Sequence, residues 1–185
     1  MLVASVTYND INAYIHLSNL ILDILPAEPT PVKILCIGTD RVTGDAFGPL
    51  VGTFLKGFGL EPLGTLDQPV HAGNLNKHIT DLEPEPFVLA IDACLGNLSS
   101  VGNINLYKGP IAPGAGVGKK LKSVGDAGIT MTVNVGGFLE NMVLANTRLA
   151  LVYSGAQTTA LGIYRALRLR NYAVDIGPAA IVSGG

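Results

Sequence analysis

At 185 residues the chain has the length of one domain with a full core. Charged residues make up only 14% and hydrophobic residues reach 48%, so extra surface is expected to be covered, as between the subunits of a homo-oligomer. The formal charge of −2, with weak clusters at Lys119, Lys120 and Lys122 and at Arg165, Arg168 and Arg170, leaves no basic footprint and argues against nucleic acid as a partner.

Residues 1–25 carry no positive leader, and no run approaches the ~20 apolar residues of a membrane span, so a cytoplasmic protein without membrane partners is expected. Cys36 and Cys94 have no stapling pattern, which fits a reducing compartment. The spacing of Ile11, Tyr14, Ile15, Ile21, Leu22 and Leu25 predicts a helix over 10–25, with Asn9 or Asp10 as N-cap and Pro26 as terminator. "VKILCIG" is a continuous apolar run of strand length, the pattern of a strand covered on both faces. "PLVGTFLKGF" follows as a helix with Pro49 in its first turn, then "LEPLGTL" as a weaker strand and "AGNLNKHITDL" as a short helix.

"PFVLAIDA", residues 86–93, is the second buried strand. β-Branched alternation predicts strands in "VGNINLYKG" and "GITMTVNVGG", separated by a Gly/Pro/Lys-rich loop over 109–126 that is expected to be mobile. "GGFLENMVLANTR" reads as a helix, "LALVYS" as a short apolar run, and residues 155–170 as a last helix with arginines suiting its C-terminal dipole. The alternation predicts a single-domain, three-layer α/β sandwich on a mainly parallel sheet.

Between the first strand and helix lies "GTDRVTGDAFG". A P-loop needs Gly, four residues, then Gly-Lys-Ser/Thr, and this stretch has no such lysine; "PGAGVGKK" places Pro113 and Lys120 at the wrong positions. In the dinucleotide pattern, Asp40 would face a pyrophosphate and repel it. GxSxG, HExxH and paired CxxC are absent, and Cys36 lies mid-strand where a thiol is usually inert.

Carboxylates remain. Asp45 lies just beyond one buried strand and Asp92 at the end of another, the edge where open α/β sheets form their crevices. Two close carboxylates cannot both ionise freely, so the pair can hold one proton and supply both a base for water and an acid for a leaving amine. An aspartate after a strand is also a common N-cap or turn residue, and both readings stand at this point. Asp40 suits a turn, His71 can reach the same edge, and His16 and His78 fall on predicted helices with structural roles.

At "GTDRVTGDAFGPLVG", "TLDQPVHAGNL", "AIDACLG" and "VNVGGFLENMVLANTRL", over residues 30–170, the chain resembles the YyaC family of sporulation-linked proteins. That family is similar to the spore germination protease, which degrades small acid-soluble spore proteins, and more distantly to hydrogenase maturation endopeptidases. The resemblance implies a phosphorylase/hydrolase-like fold and places Asp45 of "GDAFGP" and Asp92 of "AIDA" at the positions of the catalytic aspartates. Thr39, Asp40, Arg41, Gly44 and His71 are then expected to bind a peptide or protein substrate, in the forespore or spore core. The maturation endopeptidases add a later histidine to read nickel, whereas "TVNVGGFLEN" holds none, so neither a metal nor another cofactor is expected. The alternatives are a non-catalytic sporulation protein that binds a peptide or protein partner, and a metal-dependent maturation-type endopeptidase.

Overall fold

The computed structural model describes residues 1–26, 30–80, 86–114 and 122–170. In chain order the elements are β1 (Leu2–Thr7), α1 (Ala13–Ile24), β2 (Val32–Cys36), a 3-10 turn (Thr43–Ala46), α2 (Phe47–Gly57), α3 (Leu75–Thr80), β3 (Phe87–Gly96), β4 (Asn103–Lys108), β5 (Ala127–Val135), α4 (Glu140–Ala145) and α5 (Leu149–Arg170). The sheet order is β1-β4-β5-β3-β2. β2, β3 and β5 run parallel, and β4 is antiparallel to both β5 and β1, so β4 alone opposes the common direction. The expected α/β sandwich on a mainly parallel sheet is therefore present, with helices on both faces.

Strand alternation sends residues to opposite faces. Ile34, Cys36, Leu89, Ile91, Ile129 and Met131 point to one side and form a large core with α1, α2 and α5. Leu35, Ile37 and Ala90 point to the other, where a smaller cluster adds Val70, Leu75 of α3, Ile111 and Val124. One outer layer is thus three helices thick, and the other is a short helix and loop segments.

Four sequence expectations need correction. β1 was not foreseen; its "LVASVT" pairs along β4, with Val6 opposite Ile104, while its outer residues stay exposed. α1 starts at Ala13 instead of residue 10: the Asp10 carboxylate accepts the Asn12 N–H at 2.9 Å, an Asx-type turn ahead of the helix, and Ile11 is 91% exposed. Its buried stripe is Ala13, Leu17, Ser18 and Ile21, so Tyr14 lies on the outer side. The strand expected over 60–66 reduces to one isolated parallel bridge, Leu35 to Leu63, because Gly64 at φ 91° turns the chain away after it; a second bridge, Ile37 to Val70, lies beyond that stretch.

The fourth correction lies near the C-terminal end of the described chain. The helix expected over 136–148 shortens to Glu140–Ala145, and "LALVYS" is the first turn and a half of α5. An apolar run of that length has no period of its own to separate strand from helix. In α5, Val152, Ala156, Ala160, Ile163 and Leu167 repeat at helical spacing and are buried. Part of the loop expected to be mobile, and Asp81 and Leu82 of the short helix, lie outside the described residues. No helix among the described residues is long and apolar enough to cross a membrane.

Candidate active site

The chain leaves β2 through Gly38 at φ 141°. A Cβ at this position would collide with the Asp45 carbonyl oxygen, because the turn folds back until Asp45 lies directly over the end of the strand. The Thr39 N–H donates to that carbonyl at 3.1 Å, and the Asp45 N–H donates to the Val42 carbonyl at 3.0 Å. Gly48 then lets the start of α2 rest on the Ile37 carbonyl. These close approaches hold Asp45, which is half-buried, at the carboxyl edge of β2.

Asp92 comes from β3 on the thinner side of the sheet, beside Thr130 of β5. Only 5% of it is exposed. One carboxylate oxygen accepts the Ala93 N–H at 2.9 Å and the other accepts the Gly114 N–H at 3.2 Å. Both bonds favour the charged form, yet burial, reinforced by the nearby Asp45 charge, prevails and pushes the Asp92 pKa up to about 8. Asp92 therefore holds its proton at neutral pH.

Asp45 and Asp92 line one cavity of about 430 Å³. Thr39, Asp40 and Arg41 contribute from the same turn, Pro69, His71, Ala72 and Gly73 from the segment before α3, and Pro113 and Gly114 from the β4–β5 loop. The His71 ring is fixed: its Nδ1 accepts the Gly73 N–H at 3.1 Å, which assigns the proton of the neutral ring to Nε2. Its own N–H donates to Asn74 Oδ1 at 2.8 Å, and Asn74 Nδ2 donates to the Pro69 carbonyl at 3.0 Å. The loop from 69 to 74 is thereby braced from within.

Six of the seven residues named from sequence meet in this cavity: Thr39, Asp40, Arg41, Asp45, His71 and Asp92. Gly44 does not line it. It is buried against Leu144 and Thr147, and a side chain there would press on the Leu144 tip at 2.7 Å, so its small size serves packing. Gly114, which steadies Asp92, has no sequence signal beyond its place in a Gly/Pro-rich connection between two strands.

Burial pushes the Cys36 thiol far above its ordinary range, as an inert core residue requires. Cys94 sits on the Asp92 face, 3.5 Å from the hydroxyls of both Thr130 and Thr132. Among the described residues, no group of three or more His, Cys, Asp or Glu side chains is placed to hold a metal ion.

Fold and site thus define an α/β domain with a buried, proton-holding aspartate facing a second one across a crevice at the carboxyl edge of its sheet. The chain belongs to the family described as "Protein of unknown function (DUF1256)", which matches residues 5–162. It is 50% identical over 143 residues to the uncharacterized protein YyaC of Bacillus subtilis (strain 168), covering 74% of this chain and 70% of that protein. Among solved structures it is similar to the [NiFe] hydrogenase maturation protease HycI from Thermococcus kodakarensis KOD1, with a TM-score of 0.49 and 17% identity over 80% of this chain and 98% of that one. Similarity of that degree assigns no residue a role.

Proposed function

We propose that this protein is a peptidase of sporulating bacteria, related to the spore germination protease, that hydrolyses peptide bonds with the Asp45–Asp92 pair. The observation that carries the reading is a pair of acidic side chains on the wall of one cavity, with Asp92 buried and its pKa pushed up to about 8 by desolvation and by the nearby Asp45 charge. The family resemblance at "GDAFGP" and "AIDA" supports the same two positions.

The pair supplies a base and an acid together. Ionised Asp45 takes a proton from water as its oxygen bonds to the peptide carbonyl carbon. The Arg41 guanidinium, on the cavity wall, faces the negative charge that develops on the carbonyl oxygen. Backbone N–H groups near Asp45 are less suited to that task, since the Asp45 N–H is already bonded to Val42. Asp92 then gives its proton to the amide nitrogen as the C–N bond breaks, and the proton held by Asp45 returns to Asp92 to restore the pair. Thr39, Asp40 and His71 position the substrate.

The test is incubation of the purified protein with spore-core extract, following new peptide ends by mass spectrometry. New termini should appear with the wild type and be lost with Asp92→Asn. The same termini from the variant, or none from either protein, would overturn the peptidase assignment.

A further inference from the structure

Beyond the first cavity lies a second of about 380 Å³, bounded by Lys56 at the end of α2, Glu61, Gln68 and His78 of α3. The two cavities share Pro69 and His71 as a common wall. That wall is the segment braced by the Asn74 bonds and by the His71–Gly73 bond, so it is a fixed ridge between two depressions. From Pro69 to His71 the chain reaches at most about 7 Å, the span of roughly two residues of an extended peptide.

The two depressions differ in chemistry. The first carries three carboxylates, Asp40, Asp45 and Asp92, with one arginine. The second carries donors and acceptors in near balance: the Lys56 ammonium and His78 ring against the Glu61 carboxylate, with the amide of Gln68, while the Asn74 amide is already engaged by His71 and Pro69. Lys56 and Glu61 are exposed and His78 is half-buried, so a ligand entering the cavity can reach all three. A carboxylate ligand would satisfy Lys56 and be repelled by Glu61, and an ammonium would meet the reverse. A carboxamide is uncharged and both accepts and donates, so neither group repels it and each offers it a bond.

We infer that the second cavity is a substrate subsite for a glutamine or asparagine side chain, in a peptide that crosses the Pro69–His71 ridge with its scissile bond at the Asp45–Asp92 cavity. The inference rests on the peptidase reading for the position of the scissile bond, whereas the binding it requires is read without turnover.

Full-length protein labelled with 15N, in the non-cleaving Asp92→Asn form, is titrated with acetylated, amidated hexapeptides. Each has a Gly/Ala background with one Gln stepped through the sequence, and matched Glu, Lys and Leu peptides serve as comparators. The expected result is that a Gln peptide shifts the amides of residue 61, residues 63–68 and residue 78 together with those of 38–41, and binds about tenfold more tightly than its comparators. Lys56→Ala should remove most of that preference and leave the Leu peptide unchanged. Shifts confined to residues 38–41, equal affinity for all four peptide types, or no shift at 61–68 with any peptide would overturn the subsite. Shifts at both cavities by a peptide that the wild type never cleaves would uphold the subsite and refute the peptidase reading instead.

Discussion

The face of the sheet under α1, α2 and α5 and the face under α3 differ in what they bury. On the first, fully enclosed Leu17, Ile21, Phe47, Leu55, Leu89, Ile129 and Met131 interlock, and among the described residues the Cys36 thiol is the one ionisable group buried in that cluster. On the second, Asp92, Cys94, Thr130 and Thr132 occupy strand positions that would otherwise carry core residues, and the covering layer stops short enough to leave a crevice. Burying a carboxylate is unfavourable unless it is bonded or neutral, and Asp92 is both, with two backbone donors and a retained proton. The thick face supplies the stability that lets the thin one bury a polar arrangement.

The sharpest way to break this contrast is at Asp92. Asp92→Asn should lower cleavage by at least ~100-fold, read as kcat on any peptide the wild type cuts, since general acid–base groups contribute about 10²–10⁴. Urea unfolding at pH 7 should show the variant at least as stable as the wild type, because a neutral side chain suits that site. A large loss of stability would move Asp92 from chemistry to scaffolding.

Core truncations should separate the faces next. Ile129→Ala, on the thick side, should cost about 4 kcal/mol in urea unfolding, because three helices cannot close on the void. Leu75→Ala, under the short α3, should cost about 2 kcal/mol, because a thin layer can settle into the gap. Equal losses would show that the two layers are equally constrained.

Asp92 also gives the stability curve a sign. The unfolded chain releases this proton near pH 3.8 and the folded chain near pH 8, so between those values the native state binds the extra proton. Stability therefore falls as pH rises across that window, by at most ~1.4 kcal/mol per pH unit from this group. The slope should be present in wild type minus Asp92→Asn, which cancels the other carboxylates, and flat or rising behaviour would refute it. Activity should fall where that window closes, as Asp92 loses its proton around pH 8.

The smallest effect tests the one site residue that the cavity left out. Gly44→Ala should cost about 1 kcal/mol through pressure on Leu144 and leave KM unchanged. A raised KM with normal stability would return Gly44 to substrate binding.

Much of this architecture was legible in the chain. The apolar runs at residues 32–37 and 87–92 marked the parallel pair β2 and β3, because strands covered on both faces need largely apolar sequence. The carboxyl-edge rule then placed Asp45 and Asp92 on one side of the sheet, and the resemblance singled out the same pair. β1 was illegible because an edge strand exposed on its outer side shows only a weak alternation, and "LALVYS" because a six-residue apolar run has no readable period.

By itself, then, the sequence determined the layer architecture and which carboxylates reach the crevice, since periodicity and strand ends are local properties. Only the tertiary structure decided how Asp92 behaves there. Its proton is held by burial and by the charge of Asp45, a residue far away in the chain, and the N–H donors of Ala93 and Gly114 only moderate that effect. Desolvation and Coulomb interaction depend on distance in space, so no spacing along the chain could have disclosed them.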